Sequence, residues 1–89
     1  MVDQARLIRT LKQLIALDSQ NPPGDERRVA GFVGGYLRRL GLEVKTYAFS
    51  AKRINVVARL SFGKNKKSLL LTPHLDTVPA GKSWNYPPL

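Results

Sequence analysis

The residues of this sequence best suited to chemistry are a histidine and an aspartate two positions apart, His74 and Asp76. His74 is the only histidine of the 89 residues, and the chain contains no cysteine. An aspartate at this spacing can accept a hydrogen bond from one imidazole nitrogen, which leaves the other nitrogen free to bind a metal ion. A purely structural interpretation also fits, in which the histidine is hydrogen-bonded at a strand end and Asp76 caps the next turn. The spacing alone does not separate the two.

The position of this pair in the chain favours a site. The apolar run Leu69-Leu70-Leu71 predicts a short strand over residues 68–72 that is covered on both faces. In open α/β sheets, binding sites form just beyond the carboxyl ends of the strands. His74 and Asp76 follow the predicted strand directly, so they are expected at such a sheet end.

Two amphipathic helices precede the predicted strands. The spacing of apolar residues predicts the first helix over 4–17, with Asp3 as its N-cap, and the second over 26–40, with Asp25 as its N-cap. Between them, residues 18–24 include two prolines and a glycine and predict a turn or a short extended loop.

The period of the pattern changes from helical to alternating after the second helix. Gly41 is expected in a left-handed conformation that ends the helix. Alternating apolar and polar residues then predict strands over 42–49 and 53–61, and residues 63–67 predict a polar turn. With 68–72 as the third strand, the order is two helices followed by three strands, an α/β arrangement.

The charge of the chain offers a different interpretation. Fifteen Lys and Arg residues against six Asp and Glu residues leave a net charge of +9, which is typical of proteins that bind nucleic acid. The basic residues are, however, spread over every predicted element, and aromatic residues are not interleaved with them as a base-stacking surface requires. A free-standing small basic domain that binds nucleic acid or a protein partner is therefore the alternative hypothesis, and nucleic acid is the less favoured partner.

The sequence also predicts a compartment. No apolar run reaches the roughly 18–20 residues that span a bilayer, so no transmembrane helix is expected. The first 17 residues carry Arg6, Arg9 and Lys12 and lack a small-residue cleavage pattern, so no secretory signal is predicted. With no cysteine available for disulfides, the sequence predicts a cytoplasmic protein.

A longer string around the histidine resembles a known family. Residues 74–81, His-Leu-Asp-Thr-Val-Pro-Ala-Gly, resemble a motif of the zinc-dependent aminoacylase family, which includes acetylornithine deacetylase, succinyl-diaminopimelate desuccinylase and related dipeptidases and carboxypeptidases. Residues 19–26, Ser-Gln-Asn-Pro-Pro-Gly-Asp-Glu, resemble the family's N-terminal loop, and residues 40–44 and 55–58 resemble parts of its first two strands. The resemblance covers the whole chain in order.

The resemblance implies roles for the two candidate residues. His74 would be a ligand of one of two zinc ions, with cobalt or manganese as substitutes, and Asp76 would be the carboxylate that orients it. The family's other ligands, a bridging aspartate, further carboxylates and a second histidine, lie downstream of this region, as does its glutamate general base. Pro73 departs from the small residue that usually precedes the histidine, and it lacks a backbone donor.

The resemblance further implies that residues 1–89 are the opening part of a larger mixed-sheet catalytic domain, with no second domain, and that this part is inactive alone. The parent enzyme would hydrolyse the amide bond of an N-acyl amino acid or a short peptide. The expected partners are that small-molecule substrate and the remainder of the catalytic domain, and a homodimeric parent is compatible with the resemblance. The family's two metals would activate a bridging water and polarise the scissile carbonyl group.

Overall fold

The computed structural model of the protein describes residues 1–64 and 66–89. Its elements, in chain order, are two helices, α1 (Gln4–Ile15) and α2 (Arg27–Arg39), and two strands, β1 (Glu43–Ala48) and β2 (Ile54–Arg59). The predicted α/β class is confirmed. Asn65, within the predicted polar turn, lies outside the described residues.

Helix α1 begins where the sequence predicts and ends two residues early. The carboxylate of Asp3 accepts a hydrogen bond from the backbone N–H of Arg6 at 3.1 Å, so Asp3 is the N-cap as expected. At the other end, the N–H of Leu17 bonds to the carbonyl oxygen of Leu14 at 3.2 Å, three residues back. This tighter bond closes the last turn and ends the α-helical pattern before Leu17.

Helix α2 differs from the prediction at its N-terminus and agrees with it at its C-terminus. Glu26, rather than Asp25, is the N-cap, and its side chain makes no capping hydrogen bond. The Asp25 carboxylate still accepts a hydrogen bond from the Arg27 N–H at 3.1 Å, so it satisfies one free amide of the first turn. Gly41 ends the helix with a φ of +90°, and the Leu42 N–H reaches the Leu37 carbonyl at 3.1 Å, which is the expected left-handed cap.

The two strands form an antiparallel hairpin whose register runs from the pair Glu43 and Arg59 to the pair Ala48 and Ile54. The alternation in β2 is confirmed, because Ile54, Val56 and Ala58 are half-buried while the residues between them are exposed. Helix α2 packs on this hairpin and contacts both strands.

The predicted third strand over 68–72 is wrong for this structure, in which residues 66–80 contain no strand. Leu69, Leu70 and Leu71 are 85%, 81% and 78% exposed. A strand requires a neighbour for its backbone hydrogen bonds, and no described strand pairs with this segment. The apolar run thus belongs to no sheet among the described residues.

Very little of the described chain is buried. The buried apolar residues are Val29 and Ala30 of α2, and α1 contributes none. The Cα radius of gyration is 15.3 Å, whereas a compact domain of this length has one of about 12 Å. None of the described helices has the length and apolar character that a membrane crossing requires.

Candidate functional site

The site is built where two loops, residues 18–26 and 72–80, lie side by side. The Asn21 N–H donates to the Thr77 carbonyl oxygen at 2.8 Å, and the Thr77 N–H donates to the Ser19 carbonyl oxygen at 3.1 Å. The hydroxyl of Ser19, a residue only 4% exposed, donates to the Leu75 carbonyl oxygen at 2.8 Å. These backbone and side-chain bonds hold the second loop, which carries His74 and Asp76, against the first.

His74 and Asp76 are in direct contact. The Nδ1 atom of His74 lies 2.6 Å from the main-chain oxygen of Asp76 and 3.3 Å from its carboxylate Oδ1. Because both oxygens are acceptors, Nδ1 carries a proton in this arrangement, and in the neutral ring the lone pair is on Nε2. The imidazole is 83% exposed, and Nε2 makes no hydrogen bond within the described chain.

This geometry matches neither sequence interpretation completely. The shorter contact of the imidazole is with the main-chain oxygen of Asp76, not with its carboxylate. Within the described residues, the Asp76 carboxylate caps no turn, and its Oδ2 atom instead accepts a hydrogen bond from the Asn21 side chain at 3.0 Å. The pair therefore has an available imidazole nitrogen on one side and a fixed carboxylate on the other.

Two residues that sequence reasoning did not single out, Asn21 and Arg53, hold the Asp76 carboxylate. The Nη2 atom of Arg53 lies 3.5 Å from Asp76 Oδ2, the same oxygen that Asn21 contacts. The Asn21 hydrogen bond, with smaller contributions from His74 and Arg53, holds the pKa of Asp76 below its ordinary value although partial burial opposes this. For Asn21, the available signal was its place in the Asn-Pro-Pro-Gly loop. Arg53 carried no signal.

Glu26, at the start of α2, is paired with Arg53. It is only 4% exposed, and its Oε1 atom lies 2.8 Å from Arg53 Nε. The atoms are close enough for an ion pair, but their alignment is not that of a hydrogen bond, and Glu26 Oε2 has no hydrogen-bond partner among the described residues. Arg53 thus bridges two carboxylates, Glu26 on one side and Asp76 on the other.

Gly24 is required where the first loop passes the Arg53 side chain. Its φ is +78°, a conformation that favours glycine, and a Cβ at this position would lie 2.5 Å from Arg53 Nη1. The loop can therefore approach the guanidinium group closely. The peptide bonds before Pro22 and Pro23 are both cis.

A cleft of about 650 Å³ lies beside these charged groups. Glu26, Arg53, His74 and Asp76 line it together with apolar side chains of α2, the hairpin and residues 70–75. Its walls are thus mainly apolar, and the candidate imidazole and the two carboxylates are among the groups that line it.

The described residues do not form a metal centre by themselves. No group of three potential ligands (His, Cys, Asp or Glu) comes together in residues 1–64 and 66–89, and a catalytic zinc ion needs about three protein ligands. The imidazole of His74 has the donor atom and the exposure for one ligand position. The remaining ligands would have to come from other polypeptide.

The sequence of this chain is similar to part of two known enzymes. The chain is 30% identical over 92 aligned residues to succinyl-diaminopimelate desuccinylases of Orientia tsutsugamushi, strains Boryong and Ikeda. The alignment covers 99% of this chain and 23% of each relative, so the chain spans about a quarter of the length of these proteins. No protein-family model matches the chain. No solved structure matches it either. Nearly the full length of this chain is therefore similar to about a quarter of a desuccinylase, which is a hydrolase.

Proposed function

We propose that this chain is a segment of a metal-dependent hydrolase of the aminoacylase and desuccinylase family, and that the complete protein cleaves an amide bond in an N-acyl amino acid or a short peptide. The observation that carries the proposal is the geometry of His74. Its Nδ1 atom is engaged by Asp76 and its Nε2 atom is open. This geometry occurs within the string that resembles the family motif, and the similarity to two desuccinylases supports it.

In this proposal, His74 supplies one imidazole ligand through Nε2. Asp76 holds the proton on Nδ1, which keeps the lone pair on the nitrogen that faces outward. Zinc, or cobalt or manganese in its place, would polarise the amide carbonyl group and acidify a water molecule when bound by His74 and by ligands outside these residues. The general base also lies outside them, so the 89 residues alone are inactive.

The apolar surface of the chain supports the proposal that it is part of a larger domain. The leucines of 69–71 and the apolar face of α1 are exposed. In the complete protein, additional strands and helices would cover these surfaces and give 68–72 the neighbours that a strand needs. We further propose that the complete protein is cytoplasmic and homodimeric.

The test uses the complete native protein, which contains both this segment and the polypeptide that supplies the remaining metal ligands. Its metal content is measured by elemental analysis, and its activity on N-succinyl-diaminopimelate, N-acetylornithine and a dipeptide by release of free amine. We expect His74→Ala to remove one metal ion and nearly all activity, and the exposed matched control Lys82→Ala to retain both. Full metal content and full turnover in His74→Ala would contradict the proposal.

The net charge of +9 supports a second candidate, a free-standing basic domain that binds nucleic acid or another protein. Binding through phosphate contacts weakens steeply as salt concentration rises. Titration of a labelled duplex and a labelled single strand with the chain at 50 mM and 200 mM salt separates the two candidates. Binding at physiological salt with a steep salt dependence would favour this second function in its nucleic-acid form, and absence of binding would favour the hydrolase segment over a nucleic-acid-binding domain.

A further inference from the structure

The carboxylate of Asp76 uses its two oxygens differently. Oδ1 faces His74 Nδ1 at 3.3 Å, whereas Oδ2 receives the Asn21 amide at 3.0 Å and lies 3.5 Å from the Arg53 guanidinium group. The terminal torsion of an aspartate side chain is broad, so the carboxylate can rotate unless hydrogen bonds hold it. The orientation of Oδ1 toward the imidazole therefore depends on what holds Oδ2.

Asn21 is well placed to hold this oxygen. Its side chain makes the shorter of the two contacts to Oδ2, and its backbone N–H is bonded to Thr77, the residue after Asp76, at 2.8 Å. The side chain of Asn21 thus contacts Asp76, and its main chain contacts the next residue of the second loop, Thr77. Arg53 cannot replace Asn21 in this role, because its contact to Oδ2 is longer and its Nε is turned to the buried carboxylate of Glu26.

We propose that Asn21 is a positioning residue for the metal ligand His74 and that it acts through Asp76. This inference rests on the proposed function, since it takes His74 to be a ligand. Loss of the Asn21 amide frees the Asp76 carboxylate to rotate, and the imidazole then loses one of the two acceptors that hold its Nδ1 proton. Loss of a residue that hydrogen-bonds directly to a metal-bound histidine weakens metal binding by about 10- to 100-fold, and Asn21, one contact further away, is expected at the lower end of that range.

The experiment measures metal affinity and stability in the native protein that contains the segment. Zinc binding is titrated by calorimetry for Asn21→Ala and for Asn21→Leu, which keeps the branched side-chain shape without its polar atoms. Asn85→Ala is the matched control, because Asn85 is an exposed asparagine that makes no hydrogen bond within the described chain. We expect about tenfold weaker zinc binding in both Asn21 variants, and unchanged binding in the control.

A double-mutant cycle separates positioning from a general structural role. If Asn21 acts through Asp76, Asn21→Ala has no further effect on zinc affinity when Asp76 is already alanine. An equal loss of zinc affinity in both backgrounds would overturn the inference. A lower melting temperature of the metal-free protein with unchanged zinc affinity would overturn it as well.

A spectroscopic measurement on the metal-free protein adds a second readout. His74 is the only histidine of the segment, so segmental labelling with nitrogen-15 histidine reports on this ring alone. We expect Nδ1 to stay protonated in both proteins, because the main-chain oxygen of Asp76 accepts from it at 2.6 Å, and we expect the Nδ1 resonance to shift in Asn21→Ala as the Oδ1 contact is lost. An unchanged resonance in that variant would overturn the inference. If His74→Ala itself retains the metal, the proposed function fails. If His74→Ala loses the metal and Asn21→Ala matches its control, only the present inference fails.

Discussion

The two helices of this protein have similar sequence patterns and very different environments. Both carry an apolar stripe along one face, but α2 buries Val29 and Ala30 against the hairpin, whereas α1 buries no residue and its Leu11 is 54% exposed. The difference follows from what each helix can reach, because α2 is joined through Gly41 to the strands that it covers. An amphipathic pattern thus shows that a helix has a face to bury, and the rest of the polypeptide determines whether it is buried.

The largest expected effect tests the ion pair beside α2. We predict that Arg53→Ala lowers the free energy of unfolding by about 3 kcal/mol, because it leaves the Glu26 carboxylate buried without a cation. Urea unfolding followed by circular dichroism measures the change. Arg59→Ala, an exposed arginine at the end of β2, is the control and is expected to change stability by less than about 0.5 kcal/mol. Equal effects of the two substitutions would show that the pair does not stabilise α2.

The second prediction compares the helices directly. Val29→Ala in α2 removes buried methyl groups and should cost about 2 kcal/mol of unfolding free energy. In the isolated chain, Leu11→Ala in α1 removes a larger side chain from an exposed position and should cost less than about 0.5 kcal/mol. Both are read from the same urea experiment. A comparable loss for Leu11→Ala would mean that α1 is packed in solution, and the contrast between the helices would then be wrong.

The third prediction concerns the exposed leucines. We expect the isolated chain to self-associate, because Leu69 and Leu71 are 85% and 78% exposed. Leu69→Ser with Leu71→Ser should weaken association by about tenfold or more, since each removes an apolar side chain from the contact. Sedimentation velocity over a range of concentrations measures this effect. The flanking control, Ser68→Ala with Thr72→Ala, keeps the leucines and should associate like the unmodified chain. A concentration-independent monomer would contradict the prediction.

The smallest expected effect is at the start of α2. Hydrogen bonds from the Arg27 side chain and backbone lower the pKa of Asp25 from 3.8 to about 2. Because the folded-state pKa is the lower one, this stabilisation is present above pH 3.8 and is lost as the pH falls through about 2. A carbon-13 titration of the Asp25 carboxyl group measures the pKa. Arg27→Ala should return it toward 3.8, and Arg28→Ala should leave it low. An unchanged value in Arg27→Ala would assign the shift to another cause.

The amino-acid sequence by itself determined the local features of the fold. The Asp3 cap, the left-handed end of α2 at Gly41 and the alternation in β2 all depend on residues within a few positions of one another, and each is present as predicted. The predicted strand over 68–72 is absent because a strand depends on a neighbour, and sequence pattern does not supply one.

Only the tertiary structure decided which residues surround the candidate imidazole. Asn21 and Asp76 are 55 positions apart, and their contact exists because the loops 18–26 and 72–80 are hydrogen-bonded side by side. The ion pair of Glu26 with Arg53 likewise joins the start of α2 to the residue before β2. Periodicity and spacing identified His74 and Asp76 because they are near in sequence. The groups that hold Asp76 come from distant segments, and the folding of the chain brings them together.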